Sequence, residues 1–239
     1  MKTLDSGRTV AEMATENMAR TRVFESYGID YCCGGNVPLR EVCERGGIDP
    51  DEILTALSAC DEESSDDGID LQNAGLVRLA GHILGTHHAF LWEELPRLDE
   101  LHVHVCSHHA AQQPQLMKSL ELFRALRGEM ENHMRNEEQV LFPLCGPIME
   151  GSTNEIRSAV NVLLDGYVEE HESIGQMLSE MRSIHRGYVA GEGMCRKQQA
   201  LISRLENLER DTHLHVHLEN NLLFPQMLRL SEQGAAPAG

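Results

Sequence analysis

An eleven-residue pattern that occurs twice, 82 positions apart, most constrains what this chain can fold into. The pattern is H-x3-E-x4-F-P, and it begins at His133 and again at His215. Residues four positions apart lie on one face of a helix, so His133 projects with Glu137 and His215 projects with Glu219. Leucines continue both stripes, which indicates that each His–Glu pair faces the protein interior.

A further histidine precedes each copy of the pattern, on the helix before it. His88 lies 45 residues before His133, and His171 lies 44 residues before His215. Two similar helix hairpins are therefore expected, and a buried carboxylate in each requires a compensating charge or a metal ion. The sequence predicts six metal ligands: His88, His133, Glu137, His171, His215 and Glu219.

The donor types limit the choice of metal. Four imidazoles and two carboxylates suit iron or manganese better than a metal that prefers thiolates, and two carboxylates can bridge a pair of ions. The alternative is two solvent-exposed His–Glu pairs, each stabilising its helix by roughly a few tenths of a kcal/mol. Repetition of the whole pattern, including its Phe-Pro end, favours the metal site.

Composition and periodicity predict an all-α protein. Ala, Leu, Glu and Met dominate the long segments, whereas alternation of β-branched residues is scarce. Four long helices are predicted, at about 71–100, 114–142, 153–187 and 194–230. The connections between them are short and contain Gly or Pro, which implies an up-down-up-down four-helix bundle.

A smaller helical unit precedes the predicted bundle. Its first helix is expected over 9–26, where Thr9 and Glu12 fit a capping box. The predicted division of the chain is a small helical N-terminal domain with a Cys-Cys-Gly-Gly loop at 1–62, an acidic linker at 63–72, the four-helix bundle at 73–230 and a disordered tail at 231–239.

The motif Y-G-I-D-Y-C-C-G-G at 27–35, together with the two repeats, resembles the Repair of Iron Centres family, the iron–sulfur cluster repair di-iron proteins. The resemblance implies a hemerythrin-like bundle that holds two non-haem iron ions per chain, bridged by an oxo group and by Glu137 and Glu219. It also favours His88 over the adjacent His87 as a ligand. Those two side chains point about 100° apart on a helix.

The resemblance also implies a function, namely repair of iron–sulfur clusters damaged by nitric oxide or peroxide. Labile iron would be donated to damaged iron–sulfur proteins, and the N-terminal unit would dock these clients or pair two copies as a homodimer. The alternative is a hemerythrin-like protein that binds, senses or reduces nitric oxide or oxygen and keeps its iron. A conventional hydrolase or transferase is not indicated, because no nucleophile–base arrangement is visible.

Three further groups of residues carry open alternatives. Cys32 and Cys33 are either two packed thiols or a site of redox chemistry or iron transfer. Glu129 and Glu170 are either solvated charges or carboxylates that support the metal site. The stretch His102–His109 is either a polar, exposed helix end, which is the favoured interpretation, or an accessory metal-capturing patch.

Charge and cysteine content limit partners and location. With 20 Lys and Arg against 38 Asp and Glu, the formal net charge is −18, which disfavours nucleic acid and anionic membranes as partners. No run approaches the ~20 apolar residues that span a bilayer. Seven cysteines, including an adjacent pair, do not indicate a secreted disulfide framework, so a reducing cytoplasm is the expected location.

Overall fold

The computed structural model describes residues 4–63, 70–151 and 153–233. These residues form helices and no β-strand, apart from one isolated antiparallel bridge between Thr9 and Pro38. The predicted all-α class is therefore confirmed. Over the same residues, every helix is too short or too polar to cross a membrane.

The N-terminal unit contains four short helices. They are α1 (Val10–Glu16), α2 (Thr21–Ser26), α3 (Leu39–Gly46) and α4 (Pro50–Glu63). The capping box of Thr9 and Glu12 is present, but the single helix predicted over 9–26 is wrong. Asn17 takes an extended conformation there and its side chain accepts a hydrogen bond from the Ala19 amide, so the chain begins a new helical turn.

The bundle has four long helical stretches that run up-down-up-down, as predicted. They consist of α5 (Leu76–Ile83) with α6 (Ala89–His109), α7 (Gln115–Asn136) with α8 (Cys145–Glu150), α9 (Asn154–Ile184) alone, and α10 (Arg196–Leu218) with α11 (Phe224–Gln233). The last helix extends three residues into the predicted tail. The remaining tail residues 234–239, and most of the predicted linker, lie outside the described residues.

Three of the four stretches contain a π-helical turn. The turns are Leu84–His88, Glu137–Leu141 and Glu219–Leu223. Each one begins or ends at a predicted metal ligand. A π turn inserts one residue into the helical repeat and re-aims the side chains around it, and such turns are frequent at functional sites.

The bundle core is divided into two apolar clusters. One cluster contains Leu91 and Met134, and the other contains Ile83 and Leu141. Along each long stretch, the predicted ligands fall between residues of the two clusters. A buried polar layer thus separates the two apolar clusters.

The N-terminal unit packs against α10 and the π turn that follows it. Val216 of α10 belongs to the apolar core of that unit, beside residues such as Phe24. Next to it, His217 Nδ1 lies 3.0 Å from the main-chain oxygen of Tyr31. The Cys-Cys-Gly-Gly loop is therefore held directly over the polar layer.

Candidate metal centre

The six predicted ligands come together in the buried polar layer. Their ligand atoms form two groups of four, and within each group all the atoms lie within 4.8 Å of one another. The groups are His88, Glu137, His215 and Glu219, and His133, Glu137, His171 and Glu219. Both glutamates belong to both groups, whereas each imidazole belongs to one.

The imidazoles pair across the two hairpins rather than within them. His88 Nε2 lies 3.2 Å from His215 Nε2, and His133 Nε2 lies 3.2 Å from His171 Nε2. Each group therefore takes one histidine from the first hairpin and one from the second. The two halves of the repeat can form the site only when they pack together.

Three of the four carboxylate oxygens of the two glutamates lack the hydrogen-bond partners that buried carboxylates need. Both are fully buried, and neither oxygen of Glu137 accepts a hydrogen bond from any described residue. Its Oε2 lies 3.3 Å from both His88 Nε2 and His133 Nε2. Burial and the negative charge of Glu219 raise the pKa of Glu137. A cation between the carboxylates would relieve both penalties, so the site fits a metal.

The imidazole of His215 offers a neutral ring nitrogen to the site. Burial lowers the pKa of His215 to about 3, so this ring is neutral at pH 7 and carries a free lone pair. Its Nε2 lies 2.7 Å from Glu219 Oε1. Neutral imidazole nitrogen with carboxylate oxygen is a donor set compatible with iron.

Outer hydrogen bonds orient three of the four imidazoles. His88 Nδ1 donates to Glu138 at 3.0 Å, and His171 Nδ1 donates to Asn220 at 2.9 Å. Sequence reasoning missed both acceptors. The sequence did contain a clue, because Glu138 and Asn220 each come directly after the glutamate in their copy of the repeat. Outer partners of this kind fix the tautomer and orientation of a metal-ligating histidine.

The two suggested accessory carboxylates differ in position. Glu170 Oε2 accepts a hydrogen bond from His133 Nδ1 at 2.7 Å, and this bond lowers the pKa of Glu170. Glu129 is exposed and accepts a hydrogen bond from Ser173 at 3.0 Å. Only Glu170 therefore contacts a predicted ligand by hydrogen bonding.

The adjacent histidines His87 and His88 are both buried but face different surroundings. His88 faces Glu137, whereas His87 Nδ1 lies 2.9 Å from Asp211 Oδ1. The ring of His87 stacks on that of His215, with centroids 5.6 Å apart. The structure thus places His88, and not His87, beside the two glutamates of the site.

The Cys-Cys-Gly-Gly loop contacts the polar layer from outside. Cys33 Sγ lies 3.9 Å from the main-chain oxygen of His171, and Cys32 Sγ lies 3.8 Å from Cys33 Sγ, so the two are thiols rather than a disulfide. The hydrogen bond with Cys33, together with burial, raises the pKa of Cys32. Gly35 permits the tight loop, because a Cβ there would lie 2.5 Å from the Tyr31 carbonyl oxygen.

The histidine-rich stretch is a helix end, but not a wholly exposed one. It continues α6 to His109, beyond the predicted end of that helix near residue 100. His108 is exposed, whereas His102 is completely buried. The favoured interpretation of an exposed helix end is therefore wrong for His102, because this residue follows the inward stripe of Leu95 and Leu98.

This fold and site define a metal-binding four-helix bundle of the hemerythrin type. The family described as "Hemerythrin HHE cation binding domain" matches residues 79–227, and that described as "Domain of Unknown function (DUF542)" matches residues 6–61. The first match spans more than half of the chain.

Several curated proteins are similar over nearly the whole length. Iron-sulfur cluster repair protein ScdA of Staphylococcus epidermidis is 29% identical over 219 residues, which cover 91% of this chain and 96% of that protein. ScdA of Staphylococcus haemolyticus is 29% identical over 215 residues, covering 90% and 95%. Iron-sulfur cluster repair protein YtfE of Yersinia pestis is 30% identical over 210 residues, covering 87% and 91%. The chain belongs to the Repair of Iron Centres family of hemerythrin-like proteins, which confirms the resemblance seen in its motifs.

Proposed function

We propose that this protein repairs iron–sulfur clusters damaged by nitrosative or oxidative stress, and that it does so by donating labile iron. The observation that carries the proposal is the pair of overlapping His2Glu2 groups that share Glu137 and Glu219. The names of its relatives as iron–sulfur cluster repair proteins support the same role. Damaged iron–sulfur proteins are therefore the proposed clients.

The proposed centre contains two iron ions per chain. His88 and His215 would hold one ion, His133 and His171 would hold the other, and the two shared glutamates would bridge them. When bound, this iron supplies redox chemistry, ligand binding and transferable metal. Each ion would have donors from four side chains, fewer than iron can bind, so these residues would leave room for nitric oxide, oxygen or peroxide and for loss of iron.

The N-terminal unit is the proposed docking surface for the client. A half-open cleft of about 480 Å³ lies between this unit and helices α9 and α10. Its lining combines carboxylates, an imidazole and the two adjacent thiols, including Asp30, Cys32, Cys33, Glu172 and His213. Oxygen and sulfur donors in one cleft suit the transit of iron, and Cys33 connects the cleft to His171.

Two further parts of the proposal concern assembly and location. Two copies of the chain are proposed to form a homodimer through their N-terminal units. Light scattering of the purified protein tests this, because it measures the mass of the particle in solution. A reducing cytoplasm is the proposed compartment, because adjacent thiols such as Cys32 and Cys33 stay reduced there.

The repair function is tested by transfer of iron to a damaged client. Iron-loaded protein is incubated with an iron–sulfur enzyme whose cluster has been destroyed by nitric oxide, together with sulfide and a thiol reductant. We expect client activity to recover while the protein loses iron. Glu129→Gln, at an exposed carboxylate outside the site, is the matched control and should transfer normally. No recovery with all iron retained would support binding or sensing of nitric oxide instead.

A further inference from the structure

A second polar layer crosses the bundle about 20 Å from the metal centre, estimated from the helical rise. His102 lies fourteen residues after His88, and His185 lies fourteen residues after His171. Fourteen residues are two heptads, which return a side chain to the same inward face of a packed helix. His102 and His185 therefore occupy the positions of two metal-centre histidines, moved along the bundle axis.

The two imidazoles meet at the middle of the bundle. Helices α6 and α9 both pack on α7 and α10, so they stand at opposite corners. The rings of His102 and His185 have centroids 6.3 Å apart, and their planes are tilted by 59°. His102 is completely buried, and neither of its ring nitrogens has a hydrogen-bond partner among the described residues. A buried donor and acceptor left unpaired are costly, which indicates that something other than protein satisfies them.

His185 has the outer hydrogen bond of a metal-ligating histidine. Its Nε2 lies 2.6 Å from Ser119 Oγ, and Ser119 donates in turn to Met181 Sδ at 3.2 Å. The proposed ligation requires the tautomer in which Nε2 donates to Ser119, because the lone pair is then on Nδ1. Burial lowers the pKa of both His102 and His185 to about 4, so both rings are neutral at pH 7 and able to bind a cation.

We propose that His102 and His185 bind one monovalent copper ion between them. With metal–nitrogen bonds of about 2 Å, two imidazoles on opposite sides of one ion have centroids about 6 Å apart, close to the observed separation. The donors are neutral, and the carboxylate of nearby Asp99 is already paired with Arg124 at 2.8 Å. A soft monovalent ion that accepts two ligands fits this layer, whereas a hard divalent ion lacks both oxygen donors and compensating charge.

The ion has a route to this layer from the end of the bundle. A half-open cavity of about 350 Å³ has His185 in its wall, together with Met194 and Gln198. The turn that borders it holds Arg186 at φ 53° and Tyr188 at φ 62°, both in the left-handed region. Tyr188 stacks on His185 with ring centroids 6.2 Å apart, which fixes that imidazole at the inner end of the cavity.

The proposal is tested with the iron-loaded full chain under anaerobic conditions. Cuprous ion is supplied from a chromophoric chelator, and the copper and iron retained per chain are counted. His102→Leu and His185→Leu each remove one proposed ligand, and His108→Leu, at an exposed position of the same helix, is the control. All variants keep the seven cysteines, so the difference in copper between them isolates the histidine site. Nitrogen-15 spectra of labelled histidines report the same binding directly in the wild-type protein.

We expect the wild type and His108→Leu to retain one more copper ion per chain than His102→Leu or His185→Leu, with iron unchanged in all of them. The ring-nitrogen signals of His102 should shift on copper addition. Equal copper in the wild type and both site variants would overturn the proposal. If a variant does not fold, unshifted His102 signals in the wild type would overturn it as well, and would leave ordered water as the occupant.

Discussion

Cys33 Sγ lies 3.9 Å from the main-chain oxygen of His171, so a thiol of the N-terminal unit contacts a residue of the buried polar layer. Its neighbour Cys32 is more deeply buried and donates toward Asp30 Oδ1 at 3.2 Å. Both thiols line the cleft, but Cys33 is the more exposed of the two.

This arrangement predicts unequal reactivity of the two thiols. Because the pKa of Cys32 is raised by its hydrogen bond with Cys33 and by burial, we expect iodoacetamide to modify Cys33 at least tenfold faster in the native protein. Peptide mapping at short reaction times measures the ratio. Equal rates in denatured protein are the control, and faster labelling of Cys32 in the native state would contradict the prediction.

The loop that carries these thiols depends on Gly35. A Cβ at this position would lie 2.5 Å from the Tyr31 main-chain oxygen, whereas at Gly34 its nearest neighbour would be a side-chain oxygen of Asp30, at 2.9 Å. We expect Gly35→Ala to destabilise the protein by about 1–3 kcal/mol and Gly34→Ala to have a smaller effect. Chemical unfolding measures both variants. Equal stability of Gly35→Ala and the wild type would show that the loop tolerates a side chain.

The hydrogen bond between His133 and Glu170 predicts a difference between two acidic residues. Glu170→Gln weakens the bond that orients His133, so we expect iron affinity to fall about tenfold to a hundredfold. Glu129→Gln changes an exposed carboxylate bonded to Ser173 and should leave the affinity unchanged. Competition with a chelator measures both. A loss of affinity in Glu129→Gln alone would reverse the assignment of the outer carboxylate.

The buried pair His102 and His185 predicts loss of stability in acid. Their pKa values of about 4 lie below the ordinary value of 6.5, so the unfolded chain takes up protons first as the pH falls. Stability contributed by the neutral rings is present above pH 6.5 and is lost toward pH 4, by about 3 kcal/mol for each ring.

Unfolding by urea between pH 7 and pH 4.5, without added copper, measures this loss. His102→Leu should reduce the pH dependence, because one of the buried rings with a lowered pKa is removed while others, such as His217, remain. His108→Gln, which changes an exposed histidine, is the control and should keep the slope of the wild type. An unchanged slope in His102→Leu would contradict the prediction.

Much of the fold, and the six residues that come together in the polar layer, could be predicted from the sequence because the repeat combines helical spacing with residue type. The pairing of His88 with His215 could not be predicted, because the spacing along one helix does not show which histidine of the other hairpin lies opposite. The choice of His88 over His87 also depended on more than spacing, because a π turn changes the direction of both side chains. The burial of His102 was missed because the stretch was judged by its polar composition. The spacing of His102 from Leu95 and Leu98, which places it on the inward face of the helix, was not considered.

The central claim, that Glu137 and Glu219 are shared by two iron ions, is tested most directly by counting iron and recording Mössbauer spectra of three proteins. The wild type should hold two irons per chain with the spectrum of a coupled pair. Because each glutamate belongs to both ligand groups, Glu137→Leu and Glu219→Leu should each lose at least one iron and the coupling. Leucine removes a buried carboxylate, so both variants should still fold, which thermal unfolding checks. Two coupled irons retained in either variant would contradict the account.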